Sequence, residues 1–231
     1  MTSKSSVEIS LYDDLIHKTL EKERIWDLSD KVLYDMCKNH PLHDNPKEII
    51  MKTLIIGRVY SVQLERRKNK DNLIGDRFYE DKVIPTFLKS KLDEKLSFLR
   101  SKNLKTSVFE DVFSVHKSLM DSLHKITDMD KRSFCSKYLH FHQPKLFFLY
   151  DSRLCQSVSI LSGKITKEQK ETFVNTRKDY DKTYVEFFLK CYNLKEKLQE
   201  YLGRTLTIRE FDNIMIEMSN FEIQKKKKSK K

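Results

Sequence analysis

The apolar positions of this chain recur at helical spacing over most of its length. Leu15, Leu20, Ile25, Trp26, Leu28, Val32, Leu33 and Tyr34 predict helical pieces from Leu11 to about Met36, with Trp26 turned to the core. Asn45, Pro46 and Glu48 form a helix start: a cap, a proline in the first turn and an acid near the N-terminus. The helix that follows, to about Arg67, is apolar on nearly all sides in its first half, which places it in the centre of a protein. Gly57 within it costs about 1 kcal/mol against alanine, a cost that a closely approaching helix or DNA strand would explain. Phe78–Arg100 reads as one helical region with Pro85 near its start and a stripe of Phe87, Leu88, Leu92, Leu96 and Leu99. Val108–Ile126 is helical with Phe109, Val112, Phe113, Leu119 and Leu123 inward, and with His116 and His124 read as surface residues. Thr166 with Gln169, and Thr207 with Glu210, are capping boxes. They flank a helix over Tyr184–Tyr201, and the second opens a last helix through Met218. Turns are expected at Cys37–Pro46, Ile74–Asp76, Ser101–Ser107, Thr127–Asp130 and Ser162–Lys164, with Gly163 as a helix C-cap.

The pattern changes between Lys131 and Arg153. Phe134, Tyr138 and Phe141 mark a helix that Pro144 ends, because a residue before proline is pushed out of the α region. Leu146–Tyr150 is an apolar run too short for a helix of its own, and is read as extended. Asp151 and Ser152 then stand before a new helical repeat at Leu154, Cys155, Val158 and Leu161. An Asp there caps the first turn through its side-chain oxygen. A cap alone does not need Lys131, Arg132, Lys137, His140 and His142 upstream, or Phe147, Phe148 and Tyr150 beside it.

Composition narrows the class. Only 4 Gly and 4 Pro in 231 residues argue against a turn-rich β fold, so an all-α protein is expected. Residues 1–10 read as a flexible N-terminus, 11–223 as a single helical domain, and 224–231 as a disordered lysine-rich tail. The formal net charge of +11 favours an acidic partner, of which nucleic acid is the usual one. Without the six lysines of 225–231 the remainder is near +5. Four scattered cysteines with no C-x-x-C suggest a reducing, cytoplasmic setting and leave no iron–sulfur spacing. No apolar signal core or membrane-length apolar run is visible. Cys37, His40 and His43 have metal-like spacing, but no fourth ligand lies nearby and Pro41 breaks a common helical face. No metal and no cofactor is expected. Walker, H-E-x-x-H and Ser-His-Asp patterns are lacking.

The order helix, hairpin-like turn, helix, proline, apolar segment, Asp, helix resembles the helix-hairpin-helix DNA glycosylases. The runs SFCSKYLHFHQP and LFFLYDS are similar to a bacterial branch of that superfamily, as are GRVYSVQLERR at Gly57–Arg67 and LTIREFDNIM at Leu206–Met215. The likeness spans about residues 25 to 218. It implies a two-lobed helical fold with double-stranded DNA as partner, and a monomer is expected. Asp151 is then the catalytic residue that stabilises the sugar cation and activates water. Tyr150, His140 and His142 are candidates for holding the flipped base. Lys131, Arg132, Ser133, Lys137, Arg66, Arg67 and Arg153 are candidates for DNA contact. Two departures matter. The hairpin, usually glycine-rich, is KITDMDKRSF here. Where bifunctional members carry a catalytic lysine, the register places Ser133. A monofunctional enzyme follows, acting in base-excision repair or in phage defence against glucosylated hydroxymethylcytosine. The alternatives are a lyase using Lys131 or Lys137, and a DNA-binding module in which Asp151 is only a cap.

Overall fold

A computed structural model describes residues 9–68, 75–161 and 165–228. All regular structure among them is helical, so the fold is all-α. In chain order the helices are α1 (Asp13–Glu21), α2 (Ile25–Asn39), α3 (Pro46–Val59), α4 (Asp76–Phe78), α5 (Ile84–Leu88), α6 (Leu92–Leu99), α7 (Phe109–Thr127), α8 (Arg132–His142), α9 (Ser152–Leu161), α10 (Lys167–Gln169), α11 (Lys182–Leu202) and α12 (Ile208–Lys228). The expectations for residues 1–8, Ile74 and Gly163 lie outside the described residues. No described helix is long and apolar enough to cross a membrane.

The chain forms two compact units. One is Arg24–Phe147 with the short return Asp179–Asp181; the other is Met1–Glu23, Phe148–Lys178 and Lys182–Lys231. The boundary between Phe147 and Phe148 falls inside the apolar run that follows α8, so one continuous stretch of sequence serves both cores.

In the first unit α8 packs against α2, α3 and α7. Its apolar side chains Phe134, Cys135, Tyr138, Leu139 and Phe141 are buried, as their spacing predicts. Asn45 caps α3 by accepting from the Lys47 amide at 3.0 Å. That helix stops at Val59 rather than near Arg67. Ser61 takes a left-handed conformation (φ 55°), and the amides of Val62 and Ser61 return to the carbonyls of Gly57 and Arg58 at 2.8 and 3.2 Å. This is a Schellman end with serine in the glycine position. The chain folds back so closely that a Cβ on Gly57 would stand 3.3 Å from Gln63 Cα. The close neighbour of Gly57 is therefore the protein's own backbone.

The expected single helical region at Phe78–Arg100 is broken. A π-helical turn at Tyr79–Val83 joins α4 to α5, and Lys91 is left-handed (φ 52°) before α6 begins. Trp26 is 63% exposed, contrary to the core position expected for it; α2 buries Leu33, Met36 and Cys37 instead.

In the second unit α9 packs on α11 and α12, and α1 on α12. Phe148 stands edge-on to Phe188 and Phe211 at 5.0 and 5.6 Å, each ring fully buried. Each contributes about 1.5–3 kcal/mol by burial. The Tyr184 hydroxyl donates to the Phe148 carbonyl at 3.1 Å and so anchors the segment between α8 and α9. Tyr12, just before α1, donates to Glu222 at 2.8 Å and meets the Phe221 ring at 5.9 Å. Tyr201 donates to Asp13 at 2.8 Å. Both predicted capping boxes form. The last helix runs on through Lys228, beyond the expected end at Met218, so Lys225–Lys228 are helical rather than a disordered tail. Lysine is a good helix former, and cations suit a helix C-terminus. Residues 229–231 lie outside the described set.

Candidate functional site

Asp151 stands at the N-terminus of α9. Its Oδ1 accepts from the Leu154 amide at 2.8 Å, and its carbonyl accepts from the Cys155 amide at 3.0 Å. The carboxylate is half-buried, and Oδ2 has no hydrogen-bond partner among the described residues. Arg153 is exposed on the same first turn. Tyr150 is half-buried, with its ring edge-on to Phe187 at 5.0 Å. Tyr150 and Phe187 line a cavity of about 240 Å³ together with Cys155, Thr183, Glu186, Lys182 and Lys190. The site thus has an oriented carboxylate with one free oxygen, and next to it in sequence an aromatic wall with two lysines.

The remaining sequence-predicted residues belong to the other unit, and most are engaged within it. Lys131 is buried and donates from Nζ to the Gln63 carbonyl at 3.2 Å and to the Arg66 carbonyl. Burial holds its pKa below the usual lysine range. Arg132 makes a two-point ion pair with Asp181 at 2.5 and 2.9 Å. Lys137 is buried, donates to Ser133 Oγ at 3.0 Å and lies over the Tyr60 ring at 5.7 Å. Arg67 covers the Phe78 ring at 4.1 Å, whereas Arg66 is exposed. Lys131 and Lys137, read as candidates for DNA contact, thus make internal contacts in this structure.

His140 is fully buried. Its Nδ1–H donates to the Phe147 carbonyl at 2.8 Å, which leaves Nε2 to accept from the Tyr34 hydroxyl at 2.5 Å. Both ring nitrogens are thus occupied, and the ring links α8 to Phe147 in the segment that follows it. His142 differs. Its buried Nε2 has no hydrogen-bond partner among the described residues, and the residue lines a larger cavity of about 410 Å³ in the same unit. Burial, then the charges of His43 and Lys52, hold His142 well below the usual histidine range.

The hairpin before α8 is closed by Asp128 in a left-handed conformation (φ 52°), whose amide returns to the His124 carbonyl at 2.8 Å. Asp can adopt this shape in place of glycine. The exposed Asp128 and Asp130 make the turn acidic, with His124 Nδ1 3.0 Å from Asp130. The Lys68 amide donates to the Thr127 carbonyl at 3.0 Å. The exposed Lys125 and Lys68 lie beside these acids, whereas Lys131 points inward.

A buried network escaped the sequence reading. His43 was read as part of a turn and His116 as a surface residue; both are buried. His43 Nδ1–H donates to Asp93 Oδ1 at 2.5 Å, and its Nε2 accepts from the Tyr138 hydroxyl at 2.7 Å. Desolvation lowers the His43 pKa against the pull of Asp93. Burial alone would raise Asp93, but the hydrogen bonds from the His43 ring and amide outweigh it and hold the carboxyl low. Tyr138 is pushed well above the usual phenol range by burial and stays protonated. Lys52, fully buried, donates to the carbonyls of His40 and Leu42 at 2.8 and 2.5 Å, and burial lowers its pKa. A lysine inside the apolar run at Ile49–Ile56 was the one sequence signal for it. Burial lowers His116 to about 4, and its Nε2–H donates to the Arg132 carbonyl at 3.4 Å. The described residues contain no His, Cys or carboxylate group that could hold a metal ion.

Comparison with protein-family models, curated proteins and solved structures gave no match.

Proposed function

We propose that the protein is a DNA glycosylase that removes a damaged or modified base and leaves an abasic site. The observation that carries this reading is the Asp151 carboxylate: Oδ1 is fixed by the first turn of α9 while Oδ2 stays free. Breaking an N-glycosidic bond puts positive charge on the sugar, and a fixed carboxylate stabilises that charge. The free oxygen is placed to accept a proton from water. Tyr150 and Phe187 offer aromatic faces for an extruded base, and Lys182, Lys190 and Arg153 offer cations for its phosphates. The lysine-rich end of α12, in the same unit, offers further cations for the backbone. Such contacts weaken as salt is raised.

The chemistry is monofunctional in this reading. A Schiff base needs an accessible neutral amine. Lys131 is tied to two carbonyls and Lys137 to Ser133. The test is incubation with DNA carrying a panel of modified bases, glucosylated hydroxymethylcytosine among them, with detection of released base and a parallel borohydride trap. Asp151→Asn is expected to keep the fold and DNA binding and to abolish release, with no trapped adduct in either protein. Retained release in Asp151→Asn removes Asp151 from the chemistry. Binding without release on every substrate favours a DNA-binding module in which Asp151 is a cap, a reading supported by its bond to Leu154.

A further inference from the structure

A carboxylate that stabilises a developing charge has to be held from both sides along the chain. Downstream, the first turn of α9 holds Asp151. Its Oδ1 accepts from the Leu154 amide at 2.8 Å, and its carbonyl accepts from the Cys155 amide at 3.0 Å. The helix is itself tied to α12, because the buried Ser157 hydroxyl donates to the Met215 carbonyl at 2.8 Å. Upstream, residues 147–150 belong to no helix, so no intrahelical ladder fixes their carbonyls.

One face of α11 holds that side. Tyr184, Phe187 and Phe188 stand at i, i+3 and i+4 and so share a face. The Phe188 ring meets Phe148 edge-on at 5.0 Å, and the Phe187 ring meets Tyr150 in the same way at 5.0 Å. Apolar contact is non-directional, so these pairs keep the segment near α11 without setting the turn of its peptides. Tyr184 adds the direction. Its hydroxyl donates to the Phe148 carbonyl at 3.1 Å, three residues before Asp151. A hydrogen bond weakens steeply as its angle closes, so this one fixes the carbonyl and with it a whole peptide plane. Both residues are fully buried, so bulk water cannot replace the donor.

We infer that Tyr184 is a positioning residue for Asp151: through the Phe148 carbonyl, its hydroxyl sets how the chain enters α9 and so where the Asp151 carboxylate stands. This rests on the excision reading of Asp151 and extends the site to a residue that is buried away from any substrate. Without the hydroxyl the buried carbonyl is left unpaired, and the peptide turns to find another donor. A misplacement of about 1 Å at a reacting group costs up to roughly 100-fold in rate.

The test is Tyr184→Phe, which keeps the ring and its packing and removes only the donor. It is read by excision kinetics on a duplex carrying whichever panel base the wild-type protein releases, and by amide hydrogen exchange. kcat is expected to fall by roughly tenfold or more with KM within about twofold, as for an interaction expressed in the transition state. The Leu154 amide, covered by Asp151 Oδ1, is expected to exchange roughly tenfold faster, beyond any change in the α12 amides. Tyr184→4-aminophenylalanine returns a donor to the same place and is expected to restore both. Tyr12→Phe removes a hydroxyl from the same unit, at its bond to Glu222, and is expected to change neither. Unchanged kcat in Tyr184→Phe overturns the inference. So does a loss that the amino variant fails to restore, or an equal loss in Tyr12→Phe. Unchanged Leu154 exchange overturns it as well, and that measurement needs no excision activity. A wild-type protein that releases no base sinks the excision reading instead, and the exchange result then decides alone whether Tyr184 holds the carboxylate.

Discussion

Helices α8 and α9 follow one another in the chain and use similar polar residues in opposite ways. On α8 the cations and histidines turn inward: Lys137 meets Ser133, His140 bridges Phe147 and Tyr34, and Arg132 grips Asp181. On the first turn of α9, Ser152 and Arg153 are exposed and Asp151 keeps a free oxygen. Residue type does not separate the two. What does is whether a partner from elsewhere in the chain has claimed the group, since a buried charge or donor is tolerated only when paired. The polar groups of α8 are therefore mostly engaged within their own unit, while the first turn of α9 keeps groups facing solvent.

The sharpest way to break this contrast is to remove a partner inside. Asp181→Ala leaves the Arg132 guanidinium without its carboxylate, and a loss of about 3–5 kcal/mol in urea unfolding is expected. Next comes pH. His116 has a folded pKa of about 4 against an ordinary 6.5, so in that window the unfolded chain binds a proton that the folded one refuses. Its contribution is complete above the unfolded value and is lost as pH falls toward the folded one, by about 3 kcal/mol for a shift of this size. His43 and His142 are lowered as well and act in the same direction. Unfolding midpoints measured from neutral pH down to about 4 should fall steeply, and His116→Gln should flatten the slope. Tyr138→Phe takes the donor from His43 Nε2, with an expected cost of about 1–3 kcal/mol. The smallest effect belongs to α9: Asp151→Ala should cost about 1 kcal/mol and Asp151→Asn a few tenths, as for any N-cap. A loss at Asp151→Asn as large as that at Asp181→Ala would erase the contrast.

Local chemistry was legible in the sequence, and distant pairing was not. The Asn45 cap and the boxes at Thr166 and Thr207 depend on residues two or three apart, and they form as read. The Asp151 cap and the burial of Leu146–Leu149 also follow from local pattern. His43 looked like a loop residue because its partners lie 50 and 95 residues further along. Lys131 and Lys137 looked like phosphate ligands because charge shows in sequence while burial of a charged head does not. Trp26 was expected inside because it is large and apolar, yet α2 fills its inner face with Leu33, Met36 and Cys37. The region 78–100 looked continuous because its apolar spacing survives the breaks at Tyr79–Val83 and Lys91.

The pairing of Tyr12 with Glu222, and of Asp13 with Tyr201, has a consequence in time as well as in space. Synthesis delivers α1 first and the helices that receive it last, with Arg24–Phe147 and its return Asp179–Asp181 in between. During translation that unit is complete once Asp179–Asp181 has been made, while α1 still waits for α12 with its apolar face uncovered. The second core is thus sealed only when the C-terminal helices arrive. A clipped or stalled chain that lacks α12 would expose the buried side of α1, which marks such a chain for chaperones and proteases.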